Sequence, residues 1–231
     1  MTRYLAIAFF LFSLSFIHAQ SDGFTDLFNG QNLDGWTAAK EKPNSFIVED
    51  GLLKCVDGRS HLFYTGLVGN ADFKNFELKV RAKTMKGSNS GVYFHTKYQE
   101  EGWPEIGFEA QVNSTNKDAK KTGSLYGVVN VWAPGKDKTK MHPLVRVNDN
   151  HEAFLYQTKA PSKDGKWFDY HIIVKDQTIT IKVNGQTQVV WTQPADWDRE
   201  GRRIGSGTIG IQAHDPDSEV HYESIKIKVL E

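Results

Sequence analysis

Residues 107–113 read GFEAQVN and set Glu109 and Gln111 two positions apart, between Phe108, Ala110 and Val112. Successive side chains of a strand point to opposite faces. The apolar residues therefore share one side, and the carboxylate and carboxamide share the other. A carboxylate can take up a proton or accept hydroxyl groups, while a carboxamide both donates and accepts. The same layout recurs elsewhere: Gly91, Tyr93 and His95 oppose Val92 and Phe94, Gln212 and His214 oppose Ile211 and Ala213, and Ser124 and Tyr126 flank Leu125. On neighbouring strands these rows would make one concave floor rich in donors and acceptors. For any single strand, a solvated outer face is the plainer reading.

Other chemistries lack their signatures. The chain has no P-loop pattern GxxxxGK[ST], HExxH, CxxC pair or GxSxG. Glu105 and Glu109 would share a strand face about 13 Å apart, beyond the roughly 5–9.5 Å that a two-carboxylate glycosidase needs. A second carboxylate would have to come from elsewhere in the fold. The run 214–219, HDPDSE, offers oxygen ligands without the spacing of a calcium loop and reads as a polar turn.

The elements that must position these residues are strands. Short alternating runs bounded by Gly, Asn and Asp dominate, and helical periodicity is scarce after the N-terminal segment. Phe46-Ile47-Val48 leads through Glu49-Asp50-Gly51 into residues 52–56, a hairpin. Residues 76–81 (FELKVR) alternate and carry Arg81 as a further binding candidate. Residues 170–175 and 178–183 pair about Asp176-Gln177, and Asn184-Gly185 turns into residues 186–191. Residues 207–213 and 220–229 are the last two strands. The pattern predicts an all-β antiparallel sandwich. Two polar stretches, 113–122 (NSTNKDAKKT) and 134–141 (PGKDKTKM), read as exposed loops with solvated lysines. Asn29, Gly30, Gly35 and Trp36 read as a turn with a core anchor, and Trp167 also reads as core.

The 231 residues carry 28 Lys+Arg and 28 Asp+Glu, a balance that argues against a nucleic acid or an anionic membrane as partner. Residues 1–20 have a basic Arg3, a short apolar run and Ala19 before a polar segment, the layout of a secretory signal peptide. A single domain over 21–231, secreted or periplasmic and without a transmembrane segment, is expected to follow. The lone cysteine, Cys55, cannot form an internal disulfide and reads as a small packed side chain.

In order along the chain stand FTDLFNGQNLDGW, FIVEDGLL, DFKNFELKVRAK, SNSGVYFH, GFEAQV, TGSLYGV, GKWFDYHIIVK, VNGQ and GTIGIQAH. Together they resemble the 3-keto-disaccharide hydrolase family, across nearly all of the chain after residue 20. The resemblance implies a concanavalin- or laminarinase-like jelly roll whose concave sheet binds sugar. It also implies an oligosaccharide or glycoside substrate oxidised to a ketone at C3, cleaved by C2 proton abstraction with elimination or net hydrolysis. Glu109 and Gln111 match the family's Glu-x-Gln strand, Asn89 its Asn-Ser-Gly, Tyr126 its Leu-Tyr, and His214 the His after the late strand. On this likeness Glu109 or His95 is the base, and His214 or Tyr126 the acid or enolate donor. Tyr93, Asn89, Gln111, Gln212 and Arg81 bind substrate, and Trp103 stacks on a ring. A divalent metal on Glu109, His95 and His214 remains open as a Lewis acid. The chain departs from its relatives at Asn113, where many carry an acid, and at Tyr222-Glu223-Ser224, where many read Phe-Arg-Asn. A non-catalytic carbohydrate-binding module and a conventional glycoside hydrolase are the alternatives.

Overall fold

The computed structural model describes residues 22–118, 120–126 and 160–231, together with the backbone of two strands at 144–148 and 151–154. Residues 1–20, read above as a signal peptide, and the PGKDKTKM stretch lie outside the described residues.

The strands follow in chain order: β1 Thr25–Asp26, β2 Trp36–Ala38, β3 Phe46–Glu49, β4 Leu52–Cys55, β5 Ser60–Tyr64, β6 Phe76–Thr84, β7 Asn89–Thr96 and β8 Phe108–Asn113. After them come β9 Leu125–Tyr126, β10 Leu144–Asn148, β11 His151–Phe154, β12 Phe168–Lys175, β13 Thr178–Val183, β14 Gln186–Thr192, β15 Thr208–Ala213 and β16 Val220–Val229. Among the described residues, helix is confined to two short 3-10 turns, Pro43–Ser45 and Val68–Ala71. No helix among them is long and apolar enough to cross a membrane.

Two antiparallel sheets face each other. The back sheet runs β14-β13-β12-β6-β16-β4-β3, with β1 on β16, and the front sheet runs β2-β5-β15-β7-β8-β9. The expected hairpins form where left-handed backbone is available. Asp50 and Gly51 (φ 55 and 76) join β3 to β4, and Asn184 and Gly185 (φ 49 and 77) join β13 to β14, as the right-handed twist of a two-residue hairpin requires.

The back sheet keeps the alternation read from the sequence. In β6, Phe76, Leu78, Val80 and Ala82 are buried while the residues between them are part-exposed. Its inner face packs against Val92, Phe94, Phe108, Ala110, Val112 and Ile211 of the front sheet. Phe94 bridges the layers, stacked on Phe108 at 5.6 Å and edge-on to Phe76 at 6.1 Å. Cys55 joins this core, and burial pushes its thiol pKa up. Trp36 is the expected anchor, its indole N–H donating to the Leu27 carbonyl at 2.7 Å.

The front sheet differs. Every residue of β7, β8 and β15 is buried, on both faces. One face meets the core and the other is roofed by loops, so the polar rows are not the open surface that alternation alone suggests.

Candidate functional site

The order β15-β7-β8-β9 lays the four polar rows side by side. Tyr93 pairs across the ladder with Glu109, Gly91 with Gln111, and Glu109 with Tyr126. Over this floor lies a cavity of about 280 Å³ lined by Tyr93, Trp103, Pro104, Glu109, Gln111, Asp118, Tyr126, Arg202, Gln212 and His214.

Glu109 is 5% exposed. The Tyr93 hydroxyl donates to its Oε2 at 2.8 Å and in turn accepts from Gln212 Nε2 at 3.0 Å. Gly91 leaves the room for this carboxylate: a Cβ there would lie 2.7 Å from Glu109 Cδ and closer still to Oε1. Burial pushes the Glu109 pKa up to about 7; the charge of Asp118 adds to the rise, and the Tyr93 hydrogen bond, Arg202 and Lys120 oppose it. A carboxylate poised there exchanges protons at neutral pH, as a general base or acid must. Gln111 is held from behind, its Nε2 donating to Asn89 Oδ1 at 2.6 Å. Asn89 therefore orients Gln111 and does not itself line the cavity. His214 Nδ1 pairs with Asp215 Oδ2 at 2.7 Å, leaving its other nitrogen for a ligand. The 214–219 run closes as a hydrogen-bonded turn, with Asp217 N donating to Asp215 Oδ1 at 3.0 Å and Ser218 Oγ to Oδ2 at 3.0 Å.

Loops far apart in sequence make the walls. The Arg202 guanidinium donates to the carbonyls of Pro104 and Gly107, both at 2.9 Å, clasping the segment that carries Trp103. The indole of Trp103 is 45% exposed, packs 5.4 Å from His214 and lies under the Arg59 guanidinium, also at 5.4 Å. The opposite wall belongs to 113–122, read above as a solvated loop. Asn113, Ser114 and Thr122 are instead buried, and Lys121 Nζ donates to the carbonyls of Asn116 (2.5 Å) and Asp118 (2.6 Å). This ordering carries Asp118 to the cavity.

Further readings require correction. His95 does not share the floor with Tyr93. Gly210 pairs with Tyr93 and Thr208 with Thr96, so Phe94 and His95 together oppose one residue of β15, a bulge. With φ 52, His95 turns among Phe76, Phe94 and Phe108 and its Nε2 donates to the Lys74 carbonyl at 2.9 Å, while Nδ1 accepts from Gly205 N at 3.4 Å. Arg81 lies on the back sheet, paired with Asp169 at 3.0 Å and Glu223 at 2.7 Å, on the side away from the core. Trp167 is likewise outside the core, covered by Lys83 at 4.6 Å and Arg81 at 5.8 Å. Because His95 is elsewhere, Glu109, His95 and His214 do not converge. Among the described residues no group of three His, Cys, Asp or Glu side chains is placed to hold an ion.

Residues 23–228 match the 3-keto-alpha-glucoside-1,2-lyase-like domain family. The chain belongs to that family. A 3-keto-disaccharide hydrolase of Bacteroides thetaiotaomicron is 25% identical over a 249-residue alignment that covers 91% of this chain and 80% of that protein. Among solved structures, a candidate glycosyl hydrolase from Parabacteroides distasonis superposes with a TM-score of 0.65 at 20% identity, over 92% of this chain and 96% of that one. A Bacillus subtilis protein with a galectin-like fold gives 0.56 at 11% identity, over 89% and 94%. These likenesses show the fold: the antiparallel sandwich predicted by the strand pattern, of the lectin-like kind that the family resemblance implied.

In this 3-keto-alpha-glucoside-1,2-lyase-like domain, both departures from the relatives lie off the cavity. Asn113 donates its side chain to the carbonyls of Asp118 (3.1 Å) and Lys120 (2.8 Å), shaping the wall. Tyr222 is core, and Glu223 is the partner of Arg81. Arg202, Asp118 and Pro104 line the cavity without a signal in the sequence. Nothing in REGRRIGSG sets Arg202 apart from Arg199 and Arg203, because its role comes from two backbone carbonyls distant along the chain. His61, buried beside Tyr93, carries no such signal either, since SHLFY sets two polar residues before three apolar ones and does not alternate.

Proposed function

We propose that this domain is a carbohydrate-active enzyme that cleaves 3-keto-glycosides, with Glu109 as the base. The supporting observation is a buried carboxylate, poised near neutrality, on the floor of a polar cavity with an aromatic wall, in a chain of this family. A ketone at C3 acidifies the hydrogen on C2. Glu109 takes that proton, and the electron pair forms the C2–C3 double bond of an enolate. As the enolate reverts to the ketone, the C1–O bond breaks and the departing oxygen takes a proton from His214 or Tyr126. Water adding across the new C1–C2 double bond makes the net result a hydrolysis. Tyr93 keeps its proton, since burial and Glu109 raise its pKa well above the ordinary value, and it holds the base in place.

One observation favours a second reading, a conventional glycoside hydrolase: Asp118 lines the same cavity as Glu109 and supplies a second carboxylate. Incubation with a 3-keto-disaccharide and with the parent disaccharide separates the readings. Turnover of the keto sugar alone supports the first, and cleavage of the parent sugar supports the second. Binding of either without turnover would make the domain a carbohydrate-binding module. Export by residues 1–20 belongs to the same proposal. A mature protein beginning just after Ala19 or Gln20, by mass spectrometry of the exported fraction, is expected; an uncleaved chain would refute it.

A further inference from the structure

Beneath Trp103, beside the cavity that Gln212 lines, several buried atoms have no hydrogen-bond partner among the described residues: Gln212 Oε1, both ring nitrogens of His61, and Glu41 Oε1. Buried polar atoms of native proteins are almost always satisfied, and an exception calls for an explanation such as a missing water, ion or ligand. His61 is 1% exposed and is the cross-strand partner of Gln212, so their side chains leave the sheet on the same side about 5 Å apart. Its ring meets Tyr93 edge-on at 5.3 Å.

The direction of the hydrogen bonds is fixed along this row. Tyr93 donates to Glu109, Gln212 donates its amide to Tyr93, and Gln212 Oε1 is therefore an acceptor. His61 Nδ1 faces Glu41 Oε1 at 4.0 Å, while the other Glu41 oxygen accepts from Arg59 at 2.9 Å and Gly102 N at 3.2 Å. A proton on Nδ1 suits that carboxylate and leaves Nε2 as a second acceptor. Burial, with Arg59 nearby, pushes the His61 pKa down to about 3, so this lone pair persists through the working pH range. Two neighbouring acceptors need donors. Sugar hydroxyls supply them and a ketone oxygen does not.

We infer that Gln212 Oε1 and His61 Nε2 form a hydroxyl-accepting subsite, which takes the second, unoxidised ring of a 3-keto-disaccharide. The inference rests on the proposed reading of the cavity. Trp103 is the cover: its half-exposed indole packs on His61 at 5.7 Å, and Gly102 beside it holds φ 78. The indole turns aside as the ring enters and then lies against it.

His61→Phe keeps the aromatic packing and removes both nitrogens, whereas His61→Gln returns an amide acceptor. Steady-state kinetics are compared on a 3-keto-disaccharide and on a methyl 3-keto-glycoside, which lacks the second ring. Expected for His61→Phe is a KM at least tenfold higher on the disaccharide, with kcat within threefold, no change on the methyl glycoside, and an unchanged or higher melting temperature. His61→Gln should recover at least threefold of the KM. An unchanged disaccharide KM, or equal rises on both sugars, overturns the subsite. If the wild type cleaves neither sugar, the proposed function falls, and calorimetric binding of the same two sugars decides the subsite separately. Loss of the disaccharide's advantage in His61→Phe supports it; equal binding by both proteins, or none by the wild type, overturns it.

Discussion

Glu109→Gln preserves the shape of the side chain at the centre of the floor and removes its titration. The carboxyl titrates near 4.5 in an unfolded chain and at about 7 in the fold. The separation, 7 minus 4.5, is about 2.5 units, worth about 3 kcal/mol at about 1.4 kcal/mol per unit. The folded pKa is the higher one, so wild-type stability is fully present below pH 4.5 and declines as pH rises through 7, where the buried group must ionise. Glutamine has no such decline. Between pH 4 and pH 8.5 the melting temperature of the variant, measured relative to wild type, should climb by about 6–12 °C, at about 2–4 °C per kcal/mol for a domain of this size. Scanning calorimetry of both proteins across that range measures it. A difference that stays flat refutes the buried, late-ionising carboxylate. Turnover should fall by about 10²–10⁴-fold, the usual contribution of a general base, and wild-type activity should rise through a midpoint near pH 7.

Gly91→Ala sets its methyl 2.7 Å from both Cδ and Cγ of Glu109 and displaces the carboxylate from its place beside Tyr93; kcat should fall about 100-fold, the effect of a misplacement near 1 Å, and unchanged kcat would refute the cradle. Tyr93→Phe removes the hydrogen bond that lowers the Glu109 pKa, so the acid limb of the pH–rate profile should move upward by about one unit; a stationary or lowered limb would contradict the pairing. Trp103→Ala should raise KM about 3–10-fold, the value of one ring contact of about 0.5–1.5 kcal/mol, and leave kcat within twofold; an unaltered KM would remove the stacking role.

How much was legible depended on whether a residue acts through strand periodicity. Glu109, Gln111, Tyr93, Gln212 and Tyr126 were readable because a regular strand fixes the direction of every side chain from its neighbours' apolarity. His95 failed on the same rule: one extra residue in β7 breaks the period, and neither Phe94 nor His95 announces a bulge. Arg81 alternates as regularly as Tyr93, but nothing local says which of two sheets a strand will join. Asp118 and Arg202 were invisible because their positions follow from backbone carbonyls and loop closure. The burial of the floor was unreadable too, since its cover comes from loops separated along the chain by roughly a hundred residues.

The Tyr93–Glu109 contact spans a single rung between adjacent strands and owes nothing to any flexible connection. Lengthening or replacing the surrounding loops can reshape what enters, and retune the Glu109 pKa through Asp118, Lys120 and Arg202, while the contact itself stays in register. Inserting one residue between the anchors of β7 would instead turn Tyr93 inward, and one in β8 would turn Glu109 inward, each with an apolar neighbour sent outward. Natural variants should therefore show indels crowding the rim and none along these two segments.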